Sequence, residues 1–249
     1  MRSKEKEEWD RIFNSEIWDL PEDNSILPAL RLSYYYLPSQ LKRCFNYCSM
    51  FPKGHAFDKE KLVLMWMAEG FLPQPKEKTM EQLGREYFRE LVSRSFFQKS
   101  NCNEYVMHDL FNDLAQFTSG GFFCKVENGK LYGCVEKGRH FSFLADKLVG
   151  NQDLVVIHDF KSLRTFLPLR LFEGRSQSGL SKAWETWLPD LEHLRVLSLC
   201  GFDIANLPNS LGKLKQLRYL DVSHTIIRQL PDSTCSLFNL QTLTYSSSC

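Results

Sequence analysis

The chain has 249 residues, of which 43% are apolar and 24% charged, so it is long and apolar enough for one large or two ordinary globular domains and is not a disordered tail. Its 31 basic and 30 acidic residues leave a net charge of +1, which excludes a global field that would recruit nucleic acid or an anionic membrane. The first residues, "MRSKEKEEWD", lack the apolar run of a secretory signal, and no later stretch is long enough to cross a bilayer; a cytoplasmic location is expected.

The first predicted helix follows a candidate N-cap at Ser39. Its apolar residues recur at i, i+3, i+4 and i+7, which predicts one buried face: Leu41, Cys44, Phe45 and Cys48. The two cysteines share that face, but no histidine flanks them at the spacing of zinc ligands. We therefore predict no metal site here and interpret the cysteines as core residues in a reducing compartment.

Two further helices are predicted after the turn residues of "FPKGHAF". The second helix is capped by Asp58, stops near Gly70 and buries Leu62, Met65 and Trp66. The third begins at Thr79, with Gln82 completing a capping box, and its apolar stripe is Leu83, Tyr87 and Leu91.

A small hairpin and a fourth helix come next. Two short β-prone runs, from Phe96 to Gln98 and from Tyr105 to Met107, flank a polar turn that contains Asn101 and Asn103. The fourth helix is predicted to start at His108 or Asp109, with an apolar face made by Leu110, Phe111, Leu114 and Phe117. Three helices followed by a hairpin is the order of a winged helix, and the His-Asp pair lies where the wing ends.

The C-terminal third contains an internal repeat. "LRVLSLCGFDIANLP" from Leu194 and "LRYLDVSHTIIRQLP" from Leu217 align at an offset of 23 residues, and a third copy opens at Leu240. This period with L-x-x-L-x-L is typical of leucine-rich repeats, in which neighbouring turns stack to share a core. The variable positions of each strand are predicted to point outward on the concave face: Arg195, Val196, Ser198, Arg218, Tyr219, Asp221, Gln241, Thr242 and Thr244. These residues either contact a partner or are ordinary solvated residues.

The region between the two parts is predicted to hold irregular repeats. Degenerate repeat strands are expected around Phe141 and Leu163, and "EGRSQSGLSKAWETW" is expected to be an insertion or loop. Asn128-Gly129 is suited to a two-residue hairpin turn. We place the domain boundary near Gly120-Gly121.

Several of these stretches carry a family resemblance. "LPALRLSYYYLPSQLKRCFNYCSMFPKG", "LVLMWMAEGFL" and "MHDL", followed by leucine-rich repeats, resemble a plant intracellular immune receptor of the coiled-coil class of nucleotide-binding leucine-rich repeat disease-resistance proteins. The resemblance implies a mixed α and α/β fold, with a helical winged-helix domain followed by a leucine-rich repeat solenoid. It divides the chain into the end of a helical subdomain (1–26), the winged-helix domain (27–120) and the repeats (121–249, regular from about 191).

In that family the winged helix closes over ADP bound to a nucleotide-binding module, and ATP exchange releases it. The resemblance assigns the switch motif to Met107, His108 and Asp109. It implies that His108 donates to an ADP phosphate and that Asp109 caps or orients the following helix. The repeats would serve for recognition and autoinhibition, with the nucleotide-binding module, a pathogen effector or a guarded host protein as partners.

One departure from the family pattern limits these implications. The chain has no G-x-x-x-x-G-K-[ST], because Gly129-Lys130 and Gly212-Lys213 are each followed by leucine. We therefore expect a truncated receptor that neither hydrolyses ATP nor binds a nucleotide alone, in which His108 is exposed and idle. Limited stability is also expected, because a half-open nucleotide module and an uncapped solenoid leave apolar faces bare.

The sequence pattern is compared with two other functional classes. A winged helix can bind DNA through a basic recognition helix, but "DKEKLVLMWMAEG" is mostly apolar and balances its lysines with acids, which favours a protein neighbour. The alternative function is a leucine-rich repeat adaptor for protein interactions without nucleotide switching. A Met-His-Asp motif behind a wing argues against it, because an adaptor has no need of a phosphate sensor.

Overall fold

The computed structural model describes residues 28–100, 104–127, 130–133, 136–144, 155–160, 162–169 and 184–245. The predicted end of a helical subdomain, the hairpin-turn residues Asn101 and Asn103, the Asn128-Gly129 turn and most of the predicted insertion lie outside these ranges. Within them, no helix is both long enough and apolar enough to span a membrane.

Four helices form the first part: α1 (Pro28–Tyr35), α2 (Ser39–Tyr47), α3 (Lys59–Glu69) and α4 (Met80–Ser93). The predicted cap of α3 is confirmed, since Asp58 Oδ1 accepts from the N–H groups of Glu60 and Lys61 at 2.8 and 3.1 Å. The capping box between Thr79 and Gln82 is also confirmed. The predicted Ser39 cap is wrong, because Pro38 occupies the N-cap position and Ser39 is the first helical residue.

The wing is a three-stranded sheet of β1 (Ala56–Phe57), β2 (Gln98–Lys99) and β3 (Tyr105–Val106), in the order β1-β3-β2. The sequence predicted the β2–β3 hairpin, but its first run, Phe96 to Gln98, overlaps β2 only at Gln98, and its second run is one residue longer than β3. It missed β1, whose two residues are too few for an alternation pattern. A fifth helix, α5 (Asp109–Ser119), follows. Phe117 was predicted on its apolar face but is 46% exposed, with the Arg31 guanidinium 5.0 Å from its ring centre.

The repeats form a seven-stranded sheet in the order β10-β9-β8-β7-β6-β4-β5. Its strands are β4 (Phe123–Glu127), β5 (Lys130–Tyr132), β6 (His140–Leu144), β7 (Thr165–Leu169), β8 (Val196–Ser198), β9 (Tyr219–Asp221) and β10 (Thr242–Thr244). β4 and β5 pair antiparallel, and all other neighbours pair parallel. The last residues of the predicted insertion form a short helix, α6 (Trp184–Trp187).

The register confirms the repeat alignment and extends it to the irregular repeats. Phe141 pairs with Phe166, which pairs with Leu197, so both predicted degenerate strands join the regular ones. These residues point to the core of the solenoid, where successive turns stack aromatic and leucine side chains. Because side chains alternate along a strand, the residues between them face the opposite side of the sheet.

That opposite side is covered by the winged helix. Leu167, Leu169, Val196 and Tyr219 belong to the same buried apolar cluster as the winged-helix core. Helix α3 contacts β8 and β9. It is buried almost all round, from Leu62 to Glu69 except Leu64, because one side packs within the winged helix and another meets the sheet. The apolar run in α3 therefore has the protein neighbour that the sequence predicted.

Candidate functional site

The predicted switch motif lies at the start of α5. His108 is its N-cap, and the Nδ1 atom of the ring accepts a hydrogen bond from the N–H of Leu110 at 3.2 Å. The carbonyl of His108 accepts from the N–H groups of Phe111 and Asn112 at 2.9 and 3.1 Å. The ring itself is exposed, as predicted.

This geometry gives the role predicted for one motif residue to its neighbour. The capping role expected of Asp109 belongs to His108, and Asp109 is an exposed acidic residue in the first turn, where its charge favours the positive end of the helix dipole. Met107 is buried in the winged-helix core and anchors the chain just before the cap. The following helix is tied down by Asn112, whose buried amide donates to the carbonyl of Phe51 at 3.1 Å.

The cap also fixes which nitrogen of His108 carries a proton. A ring nitrogen that accepts a hydrogen bond has no proton, so the neutral ring carries its proton on Nε2. The Nε2–H group therefore points away from the helix as a donor on an exposed ring. A donor beside a helix N-terminus is suited to an anionic oxygen.

The predicted partner-facing residues differ widely in exposure. Four are buried on the face of the sheet that the winged helix covers, so the reading of them as solvated residues on a free concave face is wrong: Val196, Ser198, Tyr219 and Asp221. Gln241 is exposed. The remaining four are half-buried: Arg195, Arg218, Thr242 and Thr244. Asp221 is satisfied locally, because it accepts from the N–H of Ser223 at 2.9 Å.

A buried polar cluster lies between the winged helix and the sheet. Thr165 of β7 donates from its hydroxyl to Glu69 Oε1 at the end of α3, at 2.6 Å. The same hydroxyl oxygen lies 3.1 Å from His140 Nδ1 and 3.3 Å from the hydroxyl of Tyr47. The side chains of Glu69 and His140 are 0% and 6% exposed.

Two further polar contacts between the two parts involve the main chain. Arg195 Nη1 donates to the carbonyl of Glu69 at 2.7 Å and so satisfies a carbonyl at the C-terminus of α3. Ser142 donates to the carbonyl of Met50 at 2.7 Å. Gly70 follows Glu69 and ends α3 at φ +75°, a left-handed conformation that favours glycine.

The comparisons with known proteins agree with this architecture. Residues 50–115 match the disease resistance protein winged helix domain family, and residues 151–249 match a leucine-rich repeat region family. Disease resistance RPP13-like protein 1 of Arabidopsis thaliana is 50% identical over 240 residues, which is 95% of this chain and 23% of that protein. Disease resistance protein RGA1 of Solanum bulbocastanum is 37% identical over 230 residues, 88% of this chain and 20% of that protein.

The chain belongs to the disease resistance protein family. It spans about a quarter or less of the length of these relatives. Among solved structures, a leucine-rich repeat protein of Leptospira interrogans matches 45% of this chain and 26% of its own, at 24% identity and a TM-score of 0.34. A likeness this distant adds nothing on the fold.

In this disease resistance chain, an arginine column runs along one end of the repeat strands. Each arginine directly precedes its strand: Arg139, Arg164, Arg195 and Arg218. Their main chains are linked in sequence, since the N–H of Arg164, Arg195 and Arg218 each donates to the carbonyl of the preceding arginine, at 2.6, 2.7 and 2.9 Å. Burial and the two neighbouring arginines lower the pKa of Arg164.

Burial shifts Glu69 and His140 of the polar cluster toward their neutral forms. It raises the pKa of Glu69 to about 7, although the Thr165 hydrogen bond and Arg195, Arg164 and Arg218 oppose the shift. Burial, together with Arg164, Arg139 and Arg195, lowers the pKa of His140 to about 3. The 3.6 Å between Glu69 Oε1 and His140 Nδ1 would allow an ion pair, but both shifts favour a neutral pair.

A faint sequence signal points to Glu69, and little points to the rest of the cluster. A lone carboxylate at the end of "LVLMWMAEG" is unusual in a helix that is apolar on all sides, because a buried charge needs a partner. His140 and Thr165 occupy outward positions of irregular repeat strands, and only the fold brings them to α3. Among the described residues, no group of three His, Cys, Asp or Glu is arranged to hold a metal ion.

Proposed function

We propose that this chain is the sensor part of a plant immune receptor, in which the winged helix detects ADP and the repeats hold the winged helix in its resting position. The observation that carries the proposal is the cap of α5: His108 uses Nδ1 internally and presents Nε2–H at an exposed helix start. The ligand would be a phosphate of ADP held by a nucleotide-binding module, in line with the family resemblance.

The contact between α3 and the sheet supports an autoinhibitory role for the repeats. Val196 and Tyr219 would be exposed to water if the winged helix rotated away, and both are buried in this structure. Exchange of ADP for ATP would then have to work against that apolar contact. Recognition of a pathogen effector or a guarded host protein would shift the balance toward release.

The adaptor alternative is weakened by the same contact. An adaptor offers the concave face of its repeats to a client, and here that face is occupied by the chain's own winged helix from β6 to β9. α3 is buried and therefore would not enter a DNA groove.

The proposal is tested by ADP retention. The matching segment of the Arabidopsis relative is exchanged for this chain, and ADP dissociation is measured for the wild type, His108→Ala and His108→Ser. Serine keeps an N-cap oxygen but is too short to replace Nε2–H, so it separates the loss of the donor from the loss of the cap. Loss of a hydrogen bond to a charged group corresponds to about tenfold to hundredfold in affinity, and we expect both variants to release ADP at least about tenfold faster.

His193→Ala, at an exposed histidine of the repeats, is the matched control and should release ADP at the wild-type rate. Wild-type retention in His108→Ser would contradict the role of His108. The chain alone should give no saturable heat with ADP in calorimetry. Saturable binding that His108→Ala abolishes would instead mean that the winged helix holds the nucleotide without a P-loop.

A further inference from the structure

The buried polar cluster joins two parts that the proposed switch separates. Glu69 comes from the winged helix, whereas His140 and Thr165 come from the repeat strands. Closing the contact takes both titratable side chains from water into a site where they are at most 6% exposed. Their protonation states in the open and closed contact are therefore a property of the contact itself.

The hydroxyl of Thr165 sets the direction of the hydrogen bonds. Its one proton is given to Glu69 Oε1, so the hydroxyl oxygen accepts from His140 Nδ1–H and from the hydroxyl of Tyr47. This assigns the Nδ1–H tautomer to a neutral His140. Glu69 Oε2 is buried and has no hydrogen-bond partner among the described residues.

The charges that face the pair come from four repeat strands. The residues that precede β6, β7, β8 and β9 bring positive charge, namely Arg139, Arg164, Arg195 and Arg218. They favour a carboxylate at Glu69 and disfavour an imidazolium at His140. The phenols of Tyr47 on α2 and Tyr219 on β9 add no charge, because burial raises the pKa of each. Burial of Glu69 outweighs the arginines, so both members of the pair are neutral at mildly acidic pH.

We propose that Glu69 and His140 form a proton-compensated latch, in which closing of the winged helix on the repeat sheet removes a proton from His140 and adds one to Glu69. In the open contact at mildly acidic pH, water solvates a Glu69 carboxylate and a His140 imidazolium. On closing, His140 releases its Nε2 proton to solvent and keeps Nδ1–H on Thr165, while Glu69 takes up a proton at Oε2. The number of bound protons is unchanged, and no charge is buried at either residue.

The contributions of Glu69 and His140 to the stability of the contact depend on pH in opposite directions. The contribution of Glu69, whose pKa is raised from 4.5 to about 7, is full below 4.5 and lost as pH rises through 7. The contribution of His140, whose pKa falls from 6.5 to about 3, is full above 6.5 and lost as pH falls toward 3. Between about 4.5 and 6.5 the two slopes cancel, so the wild-type contact is nearly insensitive to pH.

The test is hydrogen exchange of the amides of residues 59–70, corrected for the intrinsic pH dependence, at pH 5.0 and 7.5. We expect the opening constant of the wild type to change by less than about threefold, since one pKa unit corresponds to a factor of ten and the two factors nearly cancel. In His140→Phe, which keeps an aromatic ring, opening becomes at least about tenfold easier at the higher pH. In Glu69→Gln, opening becomes at least about tenfold harder at the higher pH. In the double variant, the opening constant should not change with pH.

Two variants serve as controls and should behave like the wild type. Glu60→Gln removes an exposed carboxylate from the same helix, and His55→Phe replaces a histidine that packs on Phe51 and Phe57 within the winged helix. The proposal would be overturned if the opening constants of His140→Phe and Glu69→Gln changed in the same direction with pH, or if neither changed with pH.

A second measurement needs no variant to fold. In the wild type at pH 5.0, the His140 ring should give the NMR signals of a neutral Nδ1–H imidazole, and an imidazolium signal would overturn the latch. The proposal rests on the proposed function only in assuming that the contact opens during switching. Because neither measurement involves nucleotide, the latch and the role of His108 can each fail alone.

Discussion

Thr165 is the residue on which the interface network depends, because its hydroxyl contacts Glu69, His140 and Tyr47 at once. Valine has nearly the same shape and no hydroxyl. Its introduction would leave several buried polar atoms without a partner, which costs the desolvation of those groups rather than the smaller net value of one hydrogen bond.

We expect Thr165→Val to lower the free energy of unfolding by roughly 1–3 kcal/mol, measured by urea denaturation. Ser49→Ala is a suitable control: its hydroxyl is buried but has no partner among the described residues, so its removal should cost little. Equal stability of Thr165→Val and the wild type would show that the network does not hold the contact.

Residue-level prediction from the sequence succeeded where the interaction is local. The Asp58 cap and the Thr79–Gln82 box join residues within one turn, and both are present as predicted. The Ser39 cap failed because Pro38 (φ −52°, ψ 148°) already has the non-helical backbone of an N-cap, which moves Ser39 into the helix. The partners of Glu69 could not be predicted from the sequence, because β6 and β7 lie far along the chain from α3 and no local pattern links them.

The crossing of α3 and α4 depends on a glycine. Gly84 is buried, and a Cβ atom there would lie 2.5 Å from Cγ1 of Val63 and 3.1 Å from Cδ1 of Leu72. Valine is stiff at χ1, so it has little freedom to move aside. The two helices are therefore closer than any side chain larger than hydrogen allows at this position.

Two effects of Gly84→Ala compete. Alanine gains about 1 kcal/mol of helix propensity, whereas overpacking costs about 1–3 kcal/mol. We expect a net loss of about 1 kcal/mol in thermal or urea unfolding. In the Val63→Ala background the 2.5 Å contact with Cγ1 is removed and only the milder 3.1 Å contact with Leu72 remains, so the same substitution should become neutral or stabilising. A stabilised Gly84→Ala single variant would mean that the crossing is looser than described.

At the level of elements, periodicity predicted the helices and the repeats, because each is defined by a face with a regular spacing. It also indicated that α3 needs a protein neighbour. It did not identify that neighbour. The alternation of side chains along a repeat strand predicts which residues face away from the solenoid core, but it does not predict what packs against them. For that reason the pattern does not distinguish contact from solvent exposure at Ser198, Tyr219 and Asp221.

The winged helix and the repeats share one buried apolar cluster, so they should unfold together. Val196→Asp introduces a carboxylate where the wild-type side chain is 0% exposed. We expect this unpaired charge to open the contact and to split a single calorimetric transition into two. Ile226→Asp, at a residue that is 53% exposed on the same solenoid, should leave one transition. One transition in both variants would indicate that the two parts are coupled by something other than this contact.

The arginine column has a consequence for the response of the whole molecule to salt. Neighbouring strands of a sheet lie about 4.8 Å apart, so each arginine of the column begins its turn within a Debye length of the next arginine. With Glu69 protonated, the column has no full negative charge in the buried cluster to offset it. Dissolved anions therefore screen the repulsion between the arginines, so added salt should stabilise the stacking of the turns. A solenoid held together by exposed ion pairs would instead be destabilised by salt.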